Sequence, residues 1–306
     1  MRYLQLTVAA MLNVFIANAQ GYVDQERTYD LVNSQNTEVK ALAKVNWHPY
    51  VYKDHIEGNK LGNWSEFMAY IDSLPGYYDK EVKRYVVEMS NRITGDNFKN
   101  GMTLLVPDSF PKDFKVYSPY PFIYLAAEPI PKLFIIDKFT QTFGAYEYGK
   151  LVRWGLLSTG RDNDLTPPGR FNFNWKDEHR FSNAAPADEE WEMFYVFNFQ
   201  SKWGVHVHQY ALPIGKPVSH GCVRVSLADA IWNYYWANEW QHEKGRLVRN
   251  GTPVVVLHSN PKGKASHWQV KKGQVESLVD LPTNLSDVPP GIYSSISERV
   301  PWLSGW

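Results

Sequence analysis

The chain has 306 residues, of which 44% are apolar and 21% charged, so it is long enough for about two domains with a sizeable core. Its 32 Lys and Arg balance 32 Asp and Glu, and this zero net charge excludes the uniformly basic surface that non-specific nucleic-acid binding needs. The only cysteine is Cys222, which excludes an intramolecular disulfide and a four-cysteine zinc site. The composition therefore leaves one thiol whose use has to be explained.

Residues 1–19 have the pattern of a secretory signal peptide. Arg2 supplies a short positive region, residues 4–16 are mostly apolar, and Ala17-Asn18-Ala19 fits a cleavage site. A buried N-terminal helix is the alternative interpretation. The apolar run is shorter than the roughly 20 residues that a membrane span requires. We expect a protein secreted across the cytoplasmic membrane to the periplasm or cell wall, with no transmembrane span after signal removal.

The region 20–129 leans towards helix. Amphipathic patterns predict helices over 64–74 and 80–91, separated by a Leu-Pro-Gly breaker. The segment 80–107 predicts helix, turn and strand, and it resembles the second half of a LysM glycan-binding module. An ordinary helix–turn–strand unit is the alternative. The proline-rich stretch 110–121 is typical of a linker.

From residue 130 to 259 the periodicity changes to that of strands. Apolar or alternating runs predict strands near 133–136, 170–174, 193–199 and 252–258, so the fold class is mainly β with few helices. One helix is predicted just after Cys222, with the Ser226 hydroxyl capping the amide of Asp229. Residues 260–306 predict an irregular C-terminal tail that lies on the β domain through Trp302 and Trp306.

Three histidines, His206, His208 and His220, lie within sixteen residues of Cys222. A neighbouring imidazole can take the proton of a thiol and later return it to a leaving group, so this pattern favours a cysteine nucleophile. Two histidines at alternate positions of a strand also suggest zinc, although no Asp or Glu is close in sequence. We predict no metal and no cofactor. His208 and Trp203 are expected to line the cleft.

Ser-His-Gly-Cys-Val-Arg at 219–224, with Val-His at 205–206 and Thr-Pro-Pro-Gly-Arg-Phe at 166–171, resembles the L,D-transpeptidase (YkuD-like) family over about residues 132–258. The resemblance implies a β-sandwich catalytic domain at 130–259. The resemblance also implies that Cys222 is the nucleophile and His206 the base. It implies that His220 and Arg224 lie beside them. Ser219 and Gly221 are implied at the substrate and oxyanion site.

The position after the base differs from the family's usual His-Gly-Thr or His-Gly-Ser, because this chain has Val207 and His208. The group that orients the imidazole is therefore open, with a backbone carbonyl near Val207 as a candidate. Arg224 can hold a substrate carboxylate through two parallel hydrogen bonds. The amides of Gly221 and Cys222 are implied as oxyanion donors.

The resemblance implies acyl transfer on peptidoglycan stem peptides, through a Cys222 thioester and with release of D-alanine from a tetrapeptide. The acceptor is open: an amine of another stem peptide, a wall-anchored protein, or water. Water would make the protein a carboxypeptidase or endopeptidase of the same fold. An alternative from another class is a non-catalytic peptidoglycan-binding protein. Nucleic acid is not an expected partner, and no transmembrane span is expected after signal removal.

Overall fold

The computed structural model describes residues 21–53, 62–183, 185–257, 279–297 and 299–303. The signal peptide predicted at 1–19 and Trp306 lie outside these residues. Within the described ranges, no helix combines the length and the hydropathy that a membrane span requires.

The N-terminal region contains a β-α-α-β unit that follows helix α1 (Gln25–Asn33). Its elements in chain order are β1 (Trp47–Val51), α2 (Gly62–Ser73), α3 (Lys80–Asn91) and β2 (Thr103–Pro107). The strands β1 and β2 pair antiparallel. The segment 80–107 is thus the second half of this unit, whose first helix the sequence predicted at 64–74 and whose first strand it did not predict. Glycan binding by this unit stays a prediction.

The linker prediction for 110–121 is wrong. Four aromatic side chains of this stretch are buried to at least 98%, namely Phe110, Phe114, Tyr117 and Tyr120. Phe114 stacks on Trp154, with the ring centroids 4.6 Å apart. The prolines fix the backbone, but the aromatic side chains between them decide where it lies, because their burial contributes far more free energy than the turns cost. This stretch therefore belongs to the core that joins the two halves of the chain.

Within the described residues, the main sheet has nine strands. In chain order they are β3 (Leu133–Asp137), β4 (Thr142–Glu147), β5 (Lys150–Ser158), β6 (Gly169–Asn172), β7 (Lys176–Phe181), β8 (Glu192–Gln200), β9 (Val205–Gln209), β10 (Val223–Val225) and β13 (Pro253–Val256). Their order across the sheet is β6-β13-β3-β4-β5-β10-β9-β8-β7. A separate hairpin is formed by β11 (Gln241–Glu243) and β12 (Arg246–Arg249).

The sheet curls until its two ends face each other. Phe171 on β6 meets Phe199 on β8 at a ring distance of 5.4 Å, and Phe173 meets Phe197 at 4.3 Å. All four side chains are fully buried, so the apolar faces of the two ends form one core. The mainly β fold with a helix-containing N-terminal region is confirmed. Its two layers come from one continuous sheet.

Helix α4 (Leu227–Trp236) follows the strand that carries Arg224. The Ser226 hydroxyl accepts the Asp229 amide at 3.2 Å, which is the predicted cap. Asp229 is buried, and its carboxylate pairs with Arg153 of β5 at 2.7 Å. These contacts fix the end of the loop that contains Cys222 to the centre of the sheet.

The described part of the C-terminal tail lies on the β domain. Trp302 is buried and its indole donates to the Phe171 carbonyl at 2.7 Å, as the prediction for this residue requires. Further along the same edge, the Gly291 amide donates to the Arg170 carbonyl at 2.9 Å. Tyr293 then reaches Trp203, with the rings 5.5 Å apart.

Candidate active site

A cavity of about 370 Å³ opens over one face of strands β7 to β10. Strands β9 and β10 are parallel, which sets Arg224 opposite His208 in register. The cavity is lined by every residue that the sequence analysis named for the site except Gly221, namely Cys222, His206, His208, His220, Ser219, Arg224 and Trp203. The topology therefore brings together residues from two strands and the two loops that precede them.

Cys222 and His206 are in contact. The Sγ atom lies 3.6 Å from Nδ1 of His206 and 3.6 Å from the Gly204 carbonyl oxygen. His206 is buried, and its ring packs edge-on against Trp175 at 5.2 Å. The imidazole is therefore held by packing with Nδ1 towards the thiol, which allows it to accept the thiol proton.

The resting pair is neutral. Burial is the main reason that the pKa of Cys222 rises to about 11, and it also lowers the pKa of His206 to about 3. The charges of His208 and Arg180 lower the pKa of His206 further. A preformed thiolate–imidazolium pair is thus disfavoured. The proton has to move as the thiol attacks, so the histidine would act as a general base.

The loop that carries Cys222 is held from two sides. Gly221 has φ +107°, a conformation that a side chain would strain. The Gly221 amide donates to Ser219 Oγ at 3.1 Å, while the Ser219 hydroxyl donates to the Cys222 carbonyl. This differs from the expectation that the Gly221 amide serves the oxyanion, because that donor is already used. Of the two amides expected to bind the oxyanion, the Cys222 amide therefore remains as the candidate donor.

Thr166 supports the loop of Cys222 from the second side. Its hydroxyl donates to the Gly221 carbonyl at 2.8 Å and accepts the Gly160 amide at 2.9 Å. The side chain is fully buried, so both bonds are shielded from water. Lys138 adds a bond from its ammonium to the Thr166 carbonyl at 2.9 Å. The sequence analysis quoted Thr166 only as part of a motif and gave it no role.

His208 and Arg224 form the inner wall of the cavity. His208 is buried, its Nδ1 lies 2.9 Å from the Gln209 carbonyl, and burial lowers its pKa to about 4. The Arg224 guanidinium lies 4.6 Å from the centre of the Tyr210 ring and donates to the Ala211 carbonyl at 3.4 Å. Burial lowers the pKa of Arg224. Arg224 has no carboxylate within 4.0 Å among the described residues, so it can bind one from a ligand.

His220 and Trp203 lie at the mouth. His220 is exposed, and its ring lies 4.8 Å from that of Trp191 at a tilted angle. Within the described part of the chain, no hydrogen bond joins His220 to Cys222. Trp203 is 55% exposed. Both positions agree with contact to a bound ligand, and neither side chain is placed in the thiol–imidazole pair.

The sequence analysis missed Arg180 and Trp175. Both precede or lie on β7, a mostly exposed strand whose polar sequence carries no apolar alternation, so no pattern pointed to them. The Arg180 guanidinium lies 4.7 Å from the centre of the Trp175 ring.

Over the described part of the chain, no group of three His, Cys, Asp or Glu side chains is arranged to hold a metal ion.

Residues 131–256 match the family model of the L,D-transpeptidase catalytic domain, YkuD. No curated protein matches the chain. Among solved structures, an L,D-transpeptidase from Stackebrandtia nassauensis is 18% identical, with 80% of this chain and 96% of that chain covered and a TM-score of 0.39. One from Mycobacterium smegmatis is also 18% identical, with 52% and 64% covered and a TM-score of 0.34.

L,D-transpeptidase 3 from Mycobacterium tuberculosis, in complex with a faropenem-derived adduct, is 19% identical, with 53% and 76% covered and a TM-score of 0.34. This chain thus spans slightly less than two thirds of the Mycobacterium smegmatis structure. The assignment of residues 131–256 rests on the family model, which confirms the resemblance that the motifs indicated.

Proposed function

Because residues 131–256 belong to the YkuD family of L,D-transpeptidase catalytic domains, we propose that the protein is an exported enzyme that transfers acyl groups between peptidoglycan stem peptides through a Cys222 thioester. The observation that carries this proposal is the contact between Cys222 Sγ and His206 Nδ1 at 3.6 Å, inside a cavity open to a ligand. The donor is a tetrapeptide whose terminal D-alanine leaves.

In the first half-reaction the Cys222 sulfur attacks the peptide carbonyl while His206 Nδ1 takes the thiol proton. A carbon–sulfur bond forms, and the electron pair of the carbonyl moves to its oxygen. In this proposal the Cys222 amide stabilises the oxyanion, because it belongs to the same residue as the attacking sulfur. His206 then gives the proton to the leaving amine, the carbon–nitrogen bond breaks, and D-alanine departs from a thioester.

In the second half-reaction an amine attacks the thioester. His206 is neutral again after the first step, so it takes a proton from the incoming amine as the carbon–nitrogen bond forms. It then gives that proton to the sulfur as the carbon–sulfur bond breaks, which restores the Cys222 thiol. The burial of His206 and Cys222 favours the transfer of one proton within the pair over charge separation. Amine attack yields a cross-link between stem peptides, or an attachment to a wall protein if that protein supplies the amine.

The test uses intact-protein mass spectrometry on the purified mature protein and its Cys222→Ala variant. Imipenem should give one covalent adduct on the wild-type protein and none on the variant. A disaccharide tetrapeptide should lose D-alanine only with the wild-type protein. Absence of both the adduct and D-alanine release would refute the proposal.

The same experiment separates a transferase from a hydrolase. With tetrapeptide and an amine acceptor, a transferase gives a dimer or an exchanged peptide, and the yield rises with acceptor concentration. A carboxypeptidase gives tripeptide at a rate that the acceptor does not change. We expect the first result, because residues 131–256 match the family model of the L,D-transpeptidase catalytic domain.

A further inference from the structure

Arg180 is a second guanidinium in the cavity of Cys222, and no role has been given to it so far. It lines the cavity and is half-buried on β7. None of the Asp or Glu side chains in the described ranges lies within the 4.0 Å of an ion pair with it. A half-buried guanidinium without an anion nearby is a binding site for one, since its five donors match a carboxylate.

The position of Arg180 is fixed by packing. Its guanidinium lies over Trp175, and Trp175 packs against His206. The aromatic ring therefore restricts the long side chain, so less conformational entropy is lost when a ligand is bound. The same stacking contact keeps the positive charge near the reacting pair without a hydrogen bond to it.

Arg180 and Arg224 flank the reacting pair on one face of the sheet. Arg224 is on β10, opposite His208, and Arg180 is on β7, opposite Met193, which also lines the cavity. These strands are separated by three strand spacings, or about 14 Å of backbone. Four extended residues cover about the same distance, so one short peptide can reach both guanidinium groups.

We propose that Arg180 binds a second carboxylate of the acyl donor, on a side chain, and thereby selects donors that carry a free acid over donors in which that acid is a carboxamide. The inference rests on the proposed function and names the donor class of the same site. Arg224 holds one carboxylate near the scissile bond and Arg180 holds the other. A neutral carboxamide loses the charge-assisted, two-pronged contact with Arg180.

The test compares two tetrapeptide donors that differ only in a side-chain carboxylate or carboxamide at the third residue. The measured quantity is kcat/KM for D-alanine release by the wild-type protein, Arg180→Gln, Arg180→Lys and the control Arg246→Gln, whose side chain is exposed on the separate hairpin. We expect the wild-type protein to prefer the acid by about ten- to hundredfold. Arg180→Gln should remove this preference by slowing the acid donor alone.

Arg180→Lys should keep an intermediate preference, because it retains the charge without the planar fork. Arg246→Gln should keep the wild-type ratio. Equal kcat/KM for the two donors with the wild-type protein would overturn the inference alone, as would an Arg180→Gln variant that slows both donors equally. Release of D-alanine from neither donor would instead contradict the proposed function, and with it this inference.

Discussion

The Sγ atom of Cys222 lies 3.6 Å from Nδ1 of His206, and both groups are neutral at physiological pH because burial raises the pKa of the thiol and lowers that of the imidazole. At neutral pH the resting thiol therefore keeps its proton. This relationship makes the reactivity of Cys222 depend on pH and gives the first prediction.

Alkylation of Cys222 by iodoacetamide should be slow at pH 7 and should accelerate about tenfold per pH unit up to about pH 10. The reason is that the thiolate fraction grows with pH as long as the pH stays below the pKa of about 11. The rate is measured by mass spectrometry, with Cys222→Ala as the blank. A rate that reaches a plateau by pH 7 would show a preformed thiolate and contradict the prediction.

His206→Gln should lower kcat for D-alanine release by about 10²- to 10⁴-fold, since the variant keeps a polar side chain but has no base for the thiol proton. His179→Gln is the matched control, because His179 is exposed and pairs with Glu192 at 2.7 Å outside the cavity. The control should retain wild-type kcat. Comparable activity of the two variants would exclude His206 as the base.

Folding stability should fall as the pH drops from about 6.5 towards 4. The pKa of His208 is lowered to about 4 in the folded protein, and that of His206 to about 3, so the unfolded chain binds these protons first. Each histidine contributes a slope of up to about 1.4 kcal/mol per pH unit in this window. Urea unfolding of wild type and His208→Gln at pH 7.5, 5.5 and 4.5 measures it. The variant should show the smaller slope, and equal slopes would refute the assignment.

Thr166→Val should reduce both stability and activity. The variant leaves the Gly160 amide without this acceptor and removes the donor to the Gly221 carbonyl, at a cost of about 1–3 kcal/mol in a buried site. Thr166→Ser keeps the hydroxyl and should retain most of the acylation rate by imipenem. Equal acylation rates for the Val and Ser variants would show that the hydroxyl does not position the loop of Cys222.

Asp229→Ala should destabilise the protein by about 3–5 kcal/mol, because Arg153 would remain buried without its carboxylate. Glu38→Ala is the control: it breaks the exposed pair with Lys40, 2.8 Å long, and should leave stability unchanged. Both are measured by urea unfolding. A loss below 1 kcal/mol for Asp229→Ala would mean that water reaches Arg153 in the variant.

The sequence predicted four of the nine strands of the main sheet, namely β3, β6, β8 and β13, and the cap at Ser226, because apolar runs and capping residues report local structure directly. It also predicted which residues meet in the cavity, through the motifs that carry the family resemblance. It did not reveal Arg180, whose importance comes from a cross-strand position and a contact with Trp175. Pairings between distant strands leave no periodic signal in one sequence.

The first and the last described segments both pack against the β domain. The Val23 amide donates to the Leu212 carbonyl, Gln35 bonds both backbone groups of Trp154, and Trp302 caps the opposite edge at Phe171. The cooperative folding unit is therefore larger than residues 131–256, the stretch that matches the family model. A fragment trimmed to residues 131–256 would expose to water the surfaces that these contacts bury. An inhibitor screen on such a fragment would therefore measure binding to a less stable protein.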